Sequence, residues 1–189
     1  MIISHKHKFI SLDPPKTGTA YRQKWLSPFG VRIDGLQHAN LTEINQQLKD
    51  NFNDYFVFAF VRNPWARYLS WFSFLNRDQP KSKLTPESFN QFMDSYFFGA
   101  YKDSGLRITL PQSFWFLDSN INFVGSLENI YTDLQLVLDD LKLFTALPEK
   151  LEHESKHKLN LNEFYNNKLI DFVADHEKEV IKLKGYNFS

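Results

Sequence analysis

The sequence contains no cysteine. Disulfide bonds and cysteine-based zinc sites are therefore excluded. It also lacks net charge, since 22 basic and 22 acidic residues balance among 189. A general nucleic-acid binder needs a basic excess to neutralise phosphates, so that class is set aside. One small basic pocket for an anion remains compatible with a zero balance. Long apolar runs are missing as well. The opening Met1-Ile2-Ile3-Ser4-His5-Lys6 turns polar within a few residues, so neither a signal peptide nor a membrane anchor is read there, and the expected location is the cytoplasm. No internal repeat and no Gly- or Ser-rich linker divides the chain, which gives the expectation of one domain over 1–189.

What is present in quantity is aromatic and apolar. Hydrophobic residues make up 42% of the chain, and 19 of its residues are Phe. A domain of this size buries roughly 70% of its unfolded surface, so most of these rings belong in a core. Phe9-Ile10-Ser11-Leu12 reads as a short buried strand that stops at Asp13-Pro14-Pro15, and 17–26 reads as the helix after it. Val31-Arg32-Ile33 is a second short strand, and a helix opens at Leu41. The run Tyr55–Val61 is apolar on both faces, as a central parallel strand is. Asn63 and Pro64 are the cap and first residue of the next helix. Further helices are expected over 86–98, 110–117, 127–143 and 166–183, with a strand ending at 121–125. The alternation predicts an α/β fold with a mainly parallel central sheet flanked by helices.

Two segments carry chemistry. The first, Pro15-Lys16-Thr17-Gly18-Thr19, lies between a strand and a helix. A helix start presents unpaired N–H groups and the positive end of the dipole, Gly18 allows close backbone approach, Lys16 adds a full charge, and the Thr17 and Thr19 hydroxyls are further donors. This is not a Walker A loop, because here the lysine precedes the only glycine. Taken alone it is equally consistent with an ordinary helix start bearing a surface lysine. In the second, Val61-Arg62-Asn63-Pro64-Trp65-Ala66-Arg67-Tyr68-Leu69-Ser70, Arg62 stands at the carboxyl end of the central strand, where open α/β sheets bind ligands. A planar guanidinium with a hydroxyl such as that of Ser70 suits a phosphate.

With both segments in this order and about forty residues between them, the sequence resembles the sulfotransferases that use 3′-phosphoadenosine 5′-phosphosulfate (PAPS), the carbohydrate-type and related bacterial members above all. The resemblance continues through Gln112-Ser113, Phe123-Val124-Gly125-Ser126-Leu127-Glu128-Asn129 and the closing Gly185-Tyr186-Asn187-Phe188. It implies a three-layer sandwich like that of the P-loop kinases. It also implies that Lys16, Thr17, Gly18 and Thr19 hold the 5′ side of the nucleotide, and that Arg62 and Ser70 hold its 3′-phosphate. Ser155 and Lys156, in a small basic cluster, are implied as further phosphate contacts, although a solvated charge run reads equally well. Two positions depart from the pattern: Ala20 where Thr or Ser is usual, and Ser126 where Arg is common.

The implied reaction moves a sulfuryl group from PAPS to a hydroxyl acceptor, expected to be a glycan, by in-line displacement that leaves PAP. No metal is required for it. Lys16 suits the leaving oxygen, and His38, in a His38-Ala39-Asn40-Leu41-Thr42-Glu43-Ile44 stretch similar to that of bacterial relatives, is the first choice of base. Glu43, Asp13 and Glu128 are the other candidates. Trp65, Trp71, Tyr96, Phe97, Phe98, Tyr101 and Trp115 are candidates for a surface that stacks on a sugar, with core packing the default for most and one or two from Tyr96 to Tyr101 expected to touch the acceptor; Lys102 and Arg107 nearby are candidates for an acidic glycan. A P-loop-like small-molecule kinase and a nucleotide-binding module without catalysis are the competing readings.

Overall fold

The computed structural model describes residues 1–49, 52–117, 120–145 and 159–188. The chain forms two compact units: Met1–Arg62 with Gln112–Glu152, and Asn63–Pro111 with His153–Ser189. Nothing in the composition marks the boundary, which falls inside the Val61-Arg62-Asn63-Pro64 segment.

The first unit contains a five-stranded sheet of order β3-β1-β2-β4-β5, with β1 Ile2–Ser4, β2 Phe9–Ser11, β3 Val31–Arg32, β4 Phe56–Val61 and β5 Phe123–Ser126. Strands β2, β4 and β5 are paired in parallel. Strand β1 pairs antiparallel with both β2 and β3. The expected mainly parallel sheet is thus a mixed one. The strand that sequence reading missed is β1: three residues is too short a run to show alternation. Helices α1 (Thr19–Leu26) and α5 (Ile130–Asp140) cover the sheet, and α2 (Leu41–Leu48) completes the unit. Ile130, Leu134, Val137 and Leu138 form the helical stripe of α5 that packs with Tyr21 and Leu26 of α1 and with Phe9, Phe58 and Phe60 of the strands. Gly125 pairs with Phe60, and a Cβ there would lie 2.6 Å from the Phe60 ring, so glycine makes room for that ring in the core.

The second unit is helical: α3 Pro64–Leu75, α4 Pro86–Phe97, α6 Leu161–Phe164, α7 Asn167–His176 and α8 Lys178–Lys184. Its core joins Trp65, Tyr68, Leu69, Trp71 and Phe72 of α3 to Phe89 and Met93 of α4 and to Leu169 and Val173 of α7. The Asn63 side chain accepts from the Ala66 N–H with Pro64 in the first turn, as expected. The expected helix over 110–117 is instead two short 3-10 turns, Arg107–Thr109 and Gln112–Trp115, separated at Pro111, which cannot donate to a continuing ladder. The expected final helix is broken at Glu177, whose carboxylate is buried against Arg67.

Candidate functional site

The parallel strands β2 and β4 send their carboxyl ends to the same edge of the sheet, with the Leu12 N–H bonded to the Phe58 carbonyl just beyond β2. Residues 12–18 leave β2 there and enter α1. Two of them are left-handed: Lys16 at φ 67° and Gly18 at φ 79°. A lysine in this region is uncommon, because Cβ crowds the backbone, and its presence marks a loop whose shape is held by its surroundings. The holding bonds are visible. The Thr17 hydroxyl, fully buried, donates to the Pro14 carbonyl at 2.7 Å, and Thr19 reaches the same carbonyl at 3.4 Å. The Thr17 hydroxyl thus shapes the loop from inside, while Thr19 is only partly buried.

Gly18 caps α1 and faces Leu127 and Ile130. A Cβ there would lie 2.6 Å from Leu127 Cδ1 and 3.1 Å from Ile130 Cδ1. Gly18→Ala combines this crowding with a left-handed backbone. It is expected to lower stability by about 1–3 kcal/mol, read as a shift of the urea midpoint; an unchanged midpoint would show that the loop takes another course.

Arg62 follows β4, and its guanidinium makes a long 3.5 Å contact with the Lys16 carbonyl. Two of the predicted basic residues are so brought together within one unit. The Arg62 peptide is gripped on both sides by one side chain: its N–H donates to Gln112 Oε1 at 2.8 Å and its carbonyl accepts from Gln112 Nε2 at 2.9 Å. Three residues on, Trp115 donates its indole N–H to the His38 carbonyl at 3.1 Å. The 3-10 turn Gln112–Trp115 thus braces both Arg62 and His38. Sequence reading noted Gln112 only through the family resemblance and placed Trp115 among stacking candidates. The pairing of a buried Gln with a strand-end peptide leaves no local signature.

His38 Nδ1 lies 2.6 Å from the Asp13 main-chain carbonyl. A carbonyl can only accept, so Nδ1 carries the proton and Nε2 of the neutral ring keeps its lone pair. That is the form a general base needs. Of the other candidate carboxylates, Glu128 is exposed and two have different employment. Glu43 closes a capping box on α2, accepting from the Asn40 N–H at 3.0 Å while Asn40 caps the Glu43 N–H. Asp13 is buried and bonded through its carboxylate to Arg22 at 3.0 Å and Gln23 at 2.7 Å. Burial pulls the proton affinity of the Arg22 guanidinium down, and the Asp13 carboxylate partly restores it.

Ser70 lies on α3 in the second unit, 7% exposed. Ser155 and Lys156 lie outside the described residues. Ser126, which departs from the family pattern, is buried and donates its N–H and hydroxyl to Asp133 Oδ2 at 2.6 and 3.2 Å. Of the aromatic candidates, Trp65 and Trp71 are core residues of the second unit and Trp115 is fully buried in the first. Tyr101 and Phe98 are half exposed, and Tyr101 stacks on Tyr96 at 5.0 Å with 27° between the rings. Among the described residues no group of three or more His, Cys, Asp or Glu is placed to hold a metal ion, and no helix is long and apolar enough to cross a membrane.

A strand, a loop with two left-handed residues, a helix start, and an arginine at the end of the neighbouring parallel strand make an α/β protein with the parts of an anion cradle. The chain belongs to the sulfotransferase family, whose model matches residues 1–183. It is also 28% identical over 111 residues to an uncharacterised protein of Archaeoglobus fulgidus, a match covering 57% of this chain and 82% of that protein. No solved structure matches it.

Proposed function

We propose that the chain, acting as one domain over 1–189, transfers a sulfuryl group from PAPS to a hydroxyl acceptor and releases PAP. The observation that carries the reading is that Arg62 and His38 both reach the main chain of the loop that bears Lys16, Arg62 at the Lys16 carbonyl and His38 at the Asp13 carbonyl. Lys16 and the N–H groups at the start of α1 are assigned to the 5′ side of the nucleotide, and Arg62 with Ser70, by the family pattern, to the 3′-phosphate. A three-layer sandwich like that of the P-loop kinases is the fold this assignment carries with it.

In the reaction the acceptor oxygen forms a bond to sulfur as the bond from sulfur to the 5′-phosphate oxygen breaks. The hydroxyl proton goes to His38 Nε2, and the charge growing on the departing phosphate falls to Lys16. Positioning and charge stabilisation supply most of the acceleration in such transfers, and the reaction proposed here uses Lys16 in place of a metal. By the family resemblance the acceptor is proposed to be a glycan.

Calorimetry tests the nucleotide. PAP is expected to bind and ATP to bind far more weakly; preference for ATP would favour a kinase-like reading. Lys16→Met removes a charge-assisted contact and is expected to weaken PAP binding between about ten- and a hundredfold. Transfer of labelled sulfate from PAPS to a panel of glycans and simple alcohols then separates an enzyme from an inert nucleotide-binding module.

A further inference from the structure

We infer that Arg22 is a positioning residue that sets, through Asp13, both the shape of the phosphate loop and the tautomer of His38. The inference rests on the function proposed above and extends it to a residue outside the loop and outside the base. Arg22 lies four residues after Gly18 on α1, and helix side chains lean toward the N-terminus, so its guanidinium turns back under residues 12–17. It is fully buried. Nη1 donates to the Thr17 carbonyl, and Nη2 reaches Asp13 Oδ1 at 3.0 Å and the Leu12 carbonyl at 3.4 Å. The Phe60 ring lies 4.8 Å from the guanidinium carbon, so the charge is packed as well as bonded.

Asp13 is held in turn at its second oxygen by Gln23 Nε2 and by the Met1 ammonium, each at 2.7 Å. Its main-chain carbonyl receives the proton of His38 Nδ1. The Arg22–Asp13 pair therefore ties together the two ends of the loop, at Leu12 and at Thr17, and the residue whose carbonyl leaves His38 Nε2 unprotonated. Stability alone does not explain the pair, since well-packed apolar residues commonly replace buried ion pairs without loss. An apolar pair, however, satisfies none of these carbonyls. Lysine cannot substitute either, because one ammonium does not span three acceptors that the guanidinium fork reaches at once.

The test uses the full chain and reads three quantities together: the ¹⁵N shifts of the His38 ring, PAP affinity and turnover. In the unaltered protein the neutral ring is expected to carry its proton on Nδ1; a proton on Nε2 overturns the inference outright. Arg22→Lys is expected to weaken PAP binding about tenfold, the loss of one or two hydrogen bonds to the loop. It is also expected to lower kcat by up to about a hundredfold as the ring loses its fixed orientation, and to move His38 toward a mixture of tautomers. If Arg22→Lys melts like the unaltered protein yet keeps its tautomer and PAP affinity, Arg22 is structural only and the inference fails. Should that variant not fold, Gln23→Glu decides. Gln23 is only partly buried, and a carboxylate facing Asp13 Oδ2 displaces Asp13. A mixed His38 tautomer and reduced turnover are then expected, and an unchanged tautomer overturns the inference. Failure of the function itself reads differently: PAP does not bind, or His38→Ala turns over normally, whatever the tautomer.

Discussion

His38→Ala is expected to lower turnover at least about a hundredfold while PAP affinity stays within about twofold, because a positioned general base contributes 10²–10⁴ to rate and takes no part in holding the nucleotide. The structure makes this a clean experiment. The substitution removes the ring and its bond to the Asp13 carbonyl, but the bond from Trp115 goes to the main chain of His38 and survives. Two of the three alternatives are already engaged: Glu43 in the cap of α2, Asp13 with Arg22 and Gln23. Steady-state assay with PAPS and an active acceptor, beside calorimetry with PAP, measures both quantities. Added imidazole is expected to restore part of the lost rate. Turnover within a few-fold of the unaltered protein would move the base elsewhere. Equal losses in turnover and in PAP affinity would make His38 part of the nucleotide site instead.

The parts of this site that sequence shows are those with local signatures. Gly18 announces a left-handed turn, Lys16 stands in the short loop between a strand and a helix, Arg62 stands directly after an apolar strand, and Asn63-Pro64 names a helix start; each is a property of a few adjacent residues. What sequence hides is what spans distance. Arg22 reads as an ordinary helix-surface arginine until the loop folds back over it, and the grip of Gln112 on Arg62 joins residues 50 apart in the chain. Strand β1 is hidden by its shortness instead: three residues show no alternation, even though its partner β2 follows closely in the chain. The two-unit division is hidden differently. Each unit has its own aromatic core, and rings are spread through the whole sequence, so composition does not change at the boundary.

The second arginine of the Val61–Ser70 segment shows how a motif can mix binding with folding. Arg67 and Glu177 pair at 2.7 Å with both side chains fully buried. The Tyr68 hydroxyl donates to the same Glu177 oxygen at 2.8 Å, and Arg67 also reaches the Leu110 carbonyl at 3.2 Å. Burial first, then the Glu177 charge, holds the Tyr68 proton on well beyond the ordinary range for a phenol, so this donor persists at any pH the fold meets. Glu177→Ala removes the anion that pairs with Arg67 and Tyr68 and leaves a guanidinium in the core of the second unit. The expected cost is about 3–5 kcal/mol, read as a fall in the urea midpoint. Arg67→Met with Glu177→Leu takes the charge away from both sides. Because neither partner is then stranded, the double variant is expected to be more stable than either single one, the signature of a coupled buried pair. Single variants within about 0.5 kcal/mol of the unaltered protein, the range of ordinary surface changes, would show that the pair is solvated in solution. The expected pattern instead assigns Arg67 to the helical unit's own stability, and leaves Arg62 as the arginine of that segment available to the proposed nucleotide site.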